Sequence, residues 1–516
     1  MYVGLDIGTS MIKAALFDER GREIAERGQR ARQLHAPLGW SEIDGEATWR
    51  AVCAVIGRLM EGRDPRALRG MGLTGVMLGA WLVDGRGDVL RPPILWNDAR
   101  TQSLVDGLVA ETPDLIAQIY GESGSTMQLG CTLPILAWLR RHEPEILDRA
   151  KWALPAKDYI RFRLTGEIAT DESEGAMAPG SARDRTYSAS QAARLGVSGL
   201  THLLAPVRRG ETLGGRVTRA AAEATGLPEG LPVAIGTGDT SACALGAGCY
   251  RAEQAASVLG TTCLNGVLLD APAFGPVQGL LFILPGGLWM RTMVNVAGTT
   301  VLDWALATLC RDLAADPAPY DTMGALAAAA PAHAGGLVFV PYLSASGVIA
   351  PRIEPRARAG FMGLAPQHDR ATMLRAIYEG IAHAIRDCYA QIGRPPSDIR
   401  LCGGGARSAF WSQIIADATG TVVAVPEGSQ FGAKGAALCA ATAIGDFADI
   451  REASAATSIL HRRHEPDPRA ASRFDEAHLR YRIAADAAMG PLTAMAGPPP
   501  RDGAARKPDR SHPGTD

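Results

Sequence analysis

Tyr2-Val3-Gly4-Leu5-Asp6-Ile7-Gly8-Thr9-Ser10-Met11-Ile12-Lys13-Ala14-Ala15-Leu16-Phe17 opens the chain. Two apolar runs broken by Gly-Thr-Ser read as a strand, a tight turn and a second strand. Asp18-Glu19-Arg20-Gly21 makes the next turn, and residues 23–32 return as a third strand. The opening arrangement comes back in the second half, where Ala256-Ser257-Val258-Leu259-Gly260-Thr261-Thr262-Cys263 is again strand, Gly-Thr turn and strand. Just before it, Val233-Ala234-Ile235-Gly236-Thr237-Gly238-Asp239-Thr240 reads as a strand entering a glycine-rich turn, followed by a small-residue helix over 241–248. Self-similarity at this separation predicts two related α/β halves.

The bulk properties agree. A chain of 516 residues exceeds what one hydrophobic core usually serves, so two large domains are expected, over residues 1–248 and 249–489. Apolar residues make up 47% and charged ones 21%, ordinary values for a globular protein. A net charge of −2 argues against nucleic-acid binding, which needs a clustered positive field. The nine cysteines are scattered singly, with no C-x-x-C pair, so neither a disulfide framework nor a zinc site is expected. No signal-peptide pattern and no apolar run of roughly 18 to 20 residues is visible, so a cytoplasmic protein without membrane contact is expected. Residues 490–516, with Pro498-Pro499-Pro500 and little that is apolar, read as a disordered tail.

Helical spacing of Trp49, Val52, Cys53, Ile56, Leu59 and Met60 predicts an early amphipathic helix, and further helices are expected over 133–141, 158–164, 371–392, 410–419 and 470–489. Strands are expected over 70–74 and 399–402, the latter running into Gly403-Gly404-Gly405. His461-Arg462-Arg463-His464 reads as a solvated charged linker rather than a metal or anion site, because no carboxylate or cysteine cluster completes a ligand set.

An Asp at a strand end followed by Gly-Thr-Ser offers backbone N–H groups and hydroxyls at a turn that a phosphate can approach closely. Asp6-Ile7-Gly8-Thr9-Ser10 has that form, although a plain hairpin has it too. A second such turn at Gly260-Thr261-Thr262 suggests two hairpins cradling a triphosphate. Gly403-Gly404-Gly405 adds a stretch of bare backbone against which a ring or ribose fits, or else a simple helix-entry loop. No G-x-x-x-x-G-K-[ST] loop is present. Asp239, at a strand end among glycines, is the candidate carboxylate to accept a hydroxyl proton, with a helix-capping role as the alternative. Trp40, Trp81, Trp96 and Trp138 are candidate sugar-facing rings whose alternative is packing.

Together these blocks resemble the FGGY carbohydrate kinases, most closely the xylulokinase-like branch, to about residue 485. Ile94-Leu95-Trp96-Asn97-Asp98-Ala99-Arg100 is similar to the I-L-W-N-D-x-R run of xylulokinases, and His142-Glu143-Pro144-Glu145-Ile146, Lys157-Asp158-Tyr159 and Leu164-Thr165-Gly166-Glu167 follow in the family's order. The resemblance implies two actin-like, RNase H-like ATPase domains flanking a central cleft. It implies ATP as donor, Mg²⁺ as cofactor, and a small sugar or polyol as acceptor. It implies Asp239 as catalytic base and Asp6 as its catalytic partner, both near the metal through water. Gly8, Thr9, Ser10, Lys13, Gly260, Thr261, Thr262, Gly298, Gly403, Gly404, Gly405 and Ser408 are the implied ATP site, with Trp411 and Gln413 in the adenosine block. Met77, Leu78, Asp239 and Thr240 are the implied acceptor site. The oligomeric state, a homodimer included, stays open.

Substrate choice departs from the pattern. Xylulokinases carry Gln-Met-His-Gly where this chain has Val76-Met77-Leu78-Gly79, so a hydrogen-bonding His is replaced by an aliphatic side chain. Ile135 stands where the family's first signature usually has Lys. The run Leu281-Phe282-Ile283-Leu284-Pro285-Gly286-Gly287, with Asn295 to Thr300 and Asp303-Trp304, is similar to erythritol and L-xylulose kinases. Readings of another class are an actin- or chaperone-like ATPase without a sugar acceptor and a sugar sensor that has lost catalysis; intact Asp6, Asp239 and Gly-Thr turns argue against the sensor.

Overall fold

The computed structural model describes residues 1–275, 277–344, 347–350 and 352–495. Alternation and β-branched residues give the first lobe its strands: β1 (Tyr2–Ile7), β2 (Met11–Phe17) and β3 (Glu23–Arg30) form an antiparallel meander. Helix α1 (Gly45–Met60) follows, its N-terminus capped by the Asp44 carboxylate, which accepts the Ala47 N–H at 2.8 Å. It buries Trp49, Val52, Val55, Ile56 and Leu59 and returns the chain to β4 (Gly70–Gly75), parallel to β1. Helices α2 (Thr132–His142), α3 (Ala156–Thr165) and the short α4 (Glu172–Met177) precede β5 (Leu213–Arg216), β6 (Pro232–Ala234) and β7 (Thr237–Gly238). The sheet runs β5-β6-β4-β1-β2-β3, with β7 continuing beside β4. Helix α5 (Asp239–Gly246) leaves its end.

The second lobe repeats this scheme. β8 (Gln254–Leu259) and β9 (Cys263–Leu269) form a hairpin, β10 (Leu280–Leu284) and β11 (Leu288–Asn295) extend it, and helices α6 (Thr300–Leu309), α7 (Pro319–Ala329) and α8 (Arg370–Ile392) precede β12 (Asp398–Cys402). After α9 (Ala409–Thr419) comes β13 (Val423–Pro426), parallel to β12 as β12 is to β8. In both sheets a central strand is flanked on one side by an antiparallel meander and on the other by parallel strands, so the repeat read in the hairpins extends to the whole topology.

The expected helices and strands are present, with ends moved by a few residues. Two features differ. Residues 461–464 are not a linker: they lie in β14 (Leu460–His464), an antiparallel edge strand on β13, and their charged side chains alternate along an edge where charge discourages further pairing. Of the tail, Pro491–Met495 forms a 3₁₀ turn after α11 (Pro468–Ala488); residues 496–516 lie outside the described residues.

Helix α10 (Phe431–Ala443) is small and apolar apart from Lys434 and Thr442, has no polar stripe, and buries ten of its residues, Lys434 included. It comes from the second half of the sequence yet lies on the sheet of the first lobe and alongside α5. Its approach is backbone to backbone. A Cβ on Gly4 would sit 1.8 Å from the Ala433 carbonyl oxygen, and one on Gly72 1.8 Å from that of Ala436. Against α5 the approach is equally close, 2.0 Å from a Cβ on Gly435 to the Ala242 oxygen and 2.0 Å from one on Gly246 to the Phe431 oxygen. No helix among the described residues is long and apolar enough to cross a membrane.

This seating is testable in urea. Gly72→Ala forces the helix off the sheet and is expected to lower stability by about 1–3 kcal/mol. Gly57→Ala, in α1 with nothing within 4 Å of the new methyl, is expected to raise it by about 0.5–1 kcal/mol. Equal unfolding midpoints for the two variants would rule out the close contact.

Candidate functional site

Asp6 lies near the C-terminal end of β1, with Lys13 of β2 and Thr74 of β4 as its register partners. Cross-strand partners share a face, so Lys13 lies on the same side of the sheet as Asp6. Asp239 is the first residue of α5. Its Oδ1 accepts the Thr240 N–H at 2.7 Å and lies 3.3 Å from the Thr240 hydroxyl, and no donor among the described residues reaches Oδ2. Gly238 is the N-cap of α5 and no side chain caps it, so Asp239 makes only this local contact through one oxygen and leaves the other free. Both carboxylates are surrounded by protein but keep partial solvent access. Burial pushes the Asp6 carboxyl up to about 7, the charge of Asp239 adds to the rise, and Lys13 opposes it. Burial also raises Asp239, against the Thr240 hydrogen bonds. Two acids that impede each other's ionisation form a place where a cation is favoured.

No group of three or more His, Cys, Asp or Glu side chains among the described residues is arranged to hold a metal. Two acids without a third ligand fit Mg²⁺, which keeps several waters and takes phosphate oxygens, better than an ion needing an all-protein cage. Asp6 also packs against the first turn of α10, where a Cβ on Gly432 would lie 3.1 Å from Asp6 Oδ2.

The two Gly-Thr turns occupy equivalent hairpins, β1–β2 and β8–β9. In the first, the Gly8 N–H donates to the Met11 carbonyl at 2.9 Å, and the Thr9 hydroxyl accepts the Trp96 indole N–H at 3.1 Å. Ser10 is exposed. In the second, Gly260 N–H donates to Thr262 O at 3.0 Å, while Thr261 O accepts the Gly298 N–H at 3.1 Å and the Thr300 hydroxyl at 3.1 Å. Thr261 and Thr262 are exposed. A Cβ on Gly298 would lie 2.1 Å from Gly260 O, and one on Gly403, whose φ is +90°, 2.5 Å from Leu259 O. Gly260, Gly298 and Gly403, distant in sequence, thus form one patch of bare backbone.

Beside this patch opens a pocket of about 590 Å³, large enough for a nucleoside. Gly404, Gly405, Ser408 and Thr299 line it together with Asp303 and Tyr320, whose hydroxyl donates to Asp303 Oδ1 at 2.6 Å. Ser408 also caps α9 by accepting the Trp411 N–H at 3.2 Å. Trp411 forms the pocket's back wall, but Gln413 turns away, donating to Asp417 at 2.9 Å and to the Glu465 carbonyl at 2.8 Å. Tyr320 was not legible in the sequence, since it belongs to no motif and reaches the pocket only through the placement of α7.

Of the residues expected at the acceptor, Met77 and Leu78 are buried in a cluster with Cys131, Met177 and Phe282. A Cβ on Gly238 would lie 2.3 Å from Met77 Sδ, so Met77 rests against the residue preceding Asp239. Leu78 adopts φ +66°, an uncommon conformation for a non-glycine residue, and its N–H donates to Glu174 Oε2 at 2.9 Å. Thr240 is partly exposed at the head of α5, and Ile135 is core. Of the four tryptophans, Trp81 is core, Trp40 and Trp138 pack with the Arg100 guanidinium, and Trp96 is 41% exposed. Ser173 and Glu174 were missed. The signal available was Asp171-Glu172-Ser173, an N-cap pattern with nothing to say that it faces the site.

Residues 1–246 match the N-terminal domain of the FGGY family of carbohydrate kinases, and residues 255–444 match its C-terminal domain. A xylulose kinase of Klebsiella pneumoniae is 33% identical over 482 residues, covering 92% of this chain and 96% of that protein. An erythritol kinase of Brucella abortus is 30% identical over 502 residues, covering 93% and 95%. Among solved structures, xylulose kinase from Rhodospirillum rubrum superposes with a TM-score of 0.84 at 29% identity, covering 95% of this chain and 99% of that one.

The raised pKa of Asp6 has a consequence whose sign can be measured. Between the ordinary carboxylate value near ~4 and about 7, the folded protein binds more protons than the unfolded chain, so stability falls as pH rises through this window. Asp6→Asn removes the ionisation. The nucleotide-free variant is expected to melt above the wild type at pH 8 and close to it near pH 4; melting curves that stay parallel across this range would contradict the assignment.

Proposed function

The chain belongs to the FGGY family of carbohydrate kinases, and on that premise we propose that it transfers the γ-phosphoryl group of ATP to a hydroxyl of a small sugar or polyol. The observation that carries this reading is the pair Asp6 and Asp239: two carboxylates raised by burial at the open ends of two elements, one with an oxygen free to take a proton. Asp239 Oδ2 accepts the proton of the acceptor hydroxyl as its oxygen attacks the γ-phosphorus and the bond to the β-phosphate bridge breaks, leaving ADP. Gly8, Thr9 and Ser10, with Lys13, and Gly260, Thr261 and Thr262 hold the phosphates by backbone and hydroxyl groups. Gly298, Gly403, Gly404, Gly405 and Ser408 hold the nucleoside side. Mg²⁺, held through water by Asp6 and Asp239, would offset charge on the phosphates.

Met77, Leu78 and Thr240 border the acceptor. The similarity to xylulose kinases over most of the chain supports a ketopentose of the xylulose type. A second reading, a tetritol such as erythritol, is favoured by Leu78, which offers no side-chain hydrogen bond, and by the similarity to an erythritol kinase. All nine cysteines are free thiols, which supports assignment to a reducing cytoplasm.

A coupled ADP-release assay over D-xylulose, L-xylulose, erythritol and glycerol tests the reading. Asp239→Asn is expected to reduce sugar-dependent ADP release by about 10²–10⁴-fold while ATP binding persists; retained turnover would remove Asp239 from the mechanism. An ATPase stimulated by none of these alcohols would favour the actin-like alternative. Leu78→His is expected to raise kcat/KM for D-xylulose relative to erythritol by about tenfold, and an unchanged preference would place the acceptor elsewhere.

A further inference from the structure

Two segments remote in sequence wall the acceptor side, residues 76–79 and 237–239, and a single buried turn holds both. At the head of α4, Asp171 Oδ2 accepts the Ser173 N–H at 2.9 Å and the Thr237 hydroxyl at 3.0 Å. The Ser173 hydroxyl bonds Asp171 and accepts the N–H of Gly238, the residue before Asp239, at 3.1 Å. The next residue, Glu174, accepts the Leu78 N–H at 2.9 Å. Lys157 anchors the turn from beneath, with Nζ 2.8 Å from Asp171 Oδ1 and 2.9 Å from Asp158 Oδ2. Lys157, Asp158, Asp171, Ser173, Glu174 and Thr237 are all buried.

A carboxylic acid at Glu174 is hard to explain by packing. Its Oε1 is buried and accepts no hydrogen bond among the described residues, and burial holds its pKa well above the usual range. An apolar residue of similar volume would be less costly in such a place. What Glu174 does supply is an acceptor for a backbone N–H that no strand or helix satisfies, at a residue in the left-handed region.

We infer that residues 171–174 form a positioning element for phosphoryl transfer, in which Ser173 sets Asp239 through the Gly238 N–H and Glu174 sets the Leu78 backbone beside the acceptor. The inference rests on the reading of Asp239 as the base. The two walls touch at Met77 and Gly238, and this turn adds hydrogen bonds to the backbone of each, so it helps set the distance between the base and the hydroxyl it deprotonates, a quantity on which rate depends steeply. Ser173 therefore acts chiefly on kcat, and Glu174 chiefly on the KM of the sugar.

Three variants separate these roles. Ser173→Ala removes one oxygen and is expected to lower kcat about tenfold with the KM for ATP unchanged. Glu174→Leu removes the acceptor at similar volume and is expected to raise the sugar KM about tenfold with a smaller change in kcat, whereas Glu174→Gln keeps a carbonyl oxygen and is expected to stay within about threefold of the wild type. Wild-type kcat in Ser173→Ala, or equal sugar KM in the Leu and Gln variants, overturns the inference, as do lowered melting temperatures without this split. Should Glu174→Leu not fold, Ser173→Ala decides alone on the same criterion. Wild-type protein that phosphorylates none of the four alcohols instead overturns the proposed function, and that result is read before any variant is measured.

Discussion

Contact between the backbone of α10 and the backbones of β1 and β4 is the constraint on which the rest of the molecule depends. Helices ordinarily pack through side chains at separations of about 8–10 Å; here Gly4 and Gly72 have no Cβ to hold the helix away, and the sheet meets the Ala433 and Ala436 carbonyls directly. Gly246 and Gly435 let α5 approach the same helix as closely. The second half of the sequence thereby contributes a helix to the first lobe. The two helices in this joint also lie at the two carboxylates: Asp239 heads α5, and the first turn of α10 lies against Asp6. A shift of this helix pair by the width of one methyl group would displace Asp239 relative to Asp6, which stays on the sheet.

Around that joint, the interior is electrostatically unfavourable by itself. Asp6 and Asp239 are surrounded by protein, the charge of Asp239 adds to the cost of ionising Asp6, and Lys13 opposes it. A structure optimised for stability alone would not retain such a pair, and conflicts of this kind concentrate where a ligand resolves them. The neighbouring network is handled differently. Burial would lower the Lys157 ammonium, but the carboxylates of Asp158 and Asp171 outweigh it and hold the charge in place. One cluster is neutralised within the protein; the other is left short of positive charge, as a cation-binding place would be.

The bare-backbone patch shows the same division. Gly260 and Gly298 donate to the Thr262 and Thr261 carbonyls, and the Gly260, Gly298 and Gly403 carbonyls accept the Thr299, Val301 and Ala406 N–H groups, which ties this surface down before any ligand arrives. The exposed groups are the Thr261 and Thr262 side chains and the pocket beyond Gly404. Preorganisation of this kind lowers the ordering cost on binding.

Local chemistry made much of this legible beforehand. Gly-Thr turns between β-prone runs marked both hairpins, and the triple glycine after 399–402 marked the edge of the pocket, because turn formation is decided within a few residues. Helix α10 escaped notice since its sequence lacks the polar stripe by which helices are recognised, and the edge strand at 460–464 because four polar residues, two of them arginines, look like solvent-exposed loop. By itself the sequence determined where the chain turns, where backbone is left bare, and that two halves share one plan. Only the tertiary structure decided that Tyr320 lines the pocket beside the triple glycine, that Gln413 does not, and that Ser173 and Glu174 hydrogen-bond the Gly238 and Leu78 backbone. These depend on contacts between segments dozens to hundreds of residues apart, and such contacts are set by how layers pack rather than by any local preference.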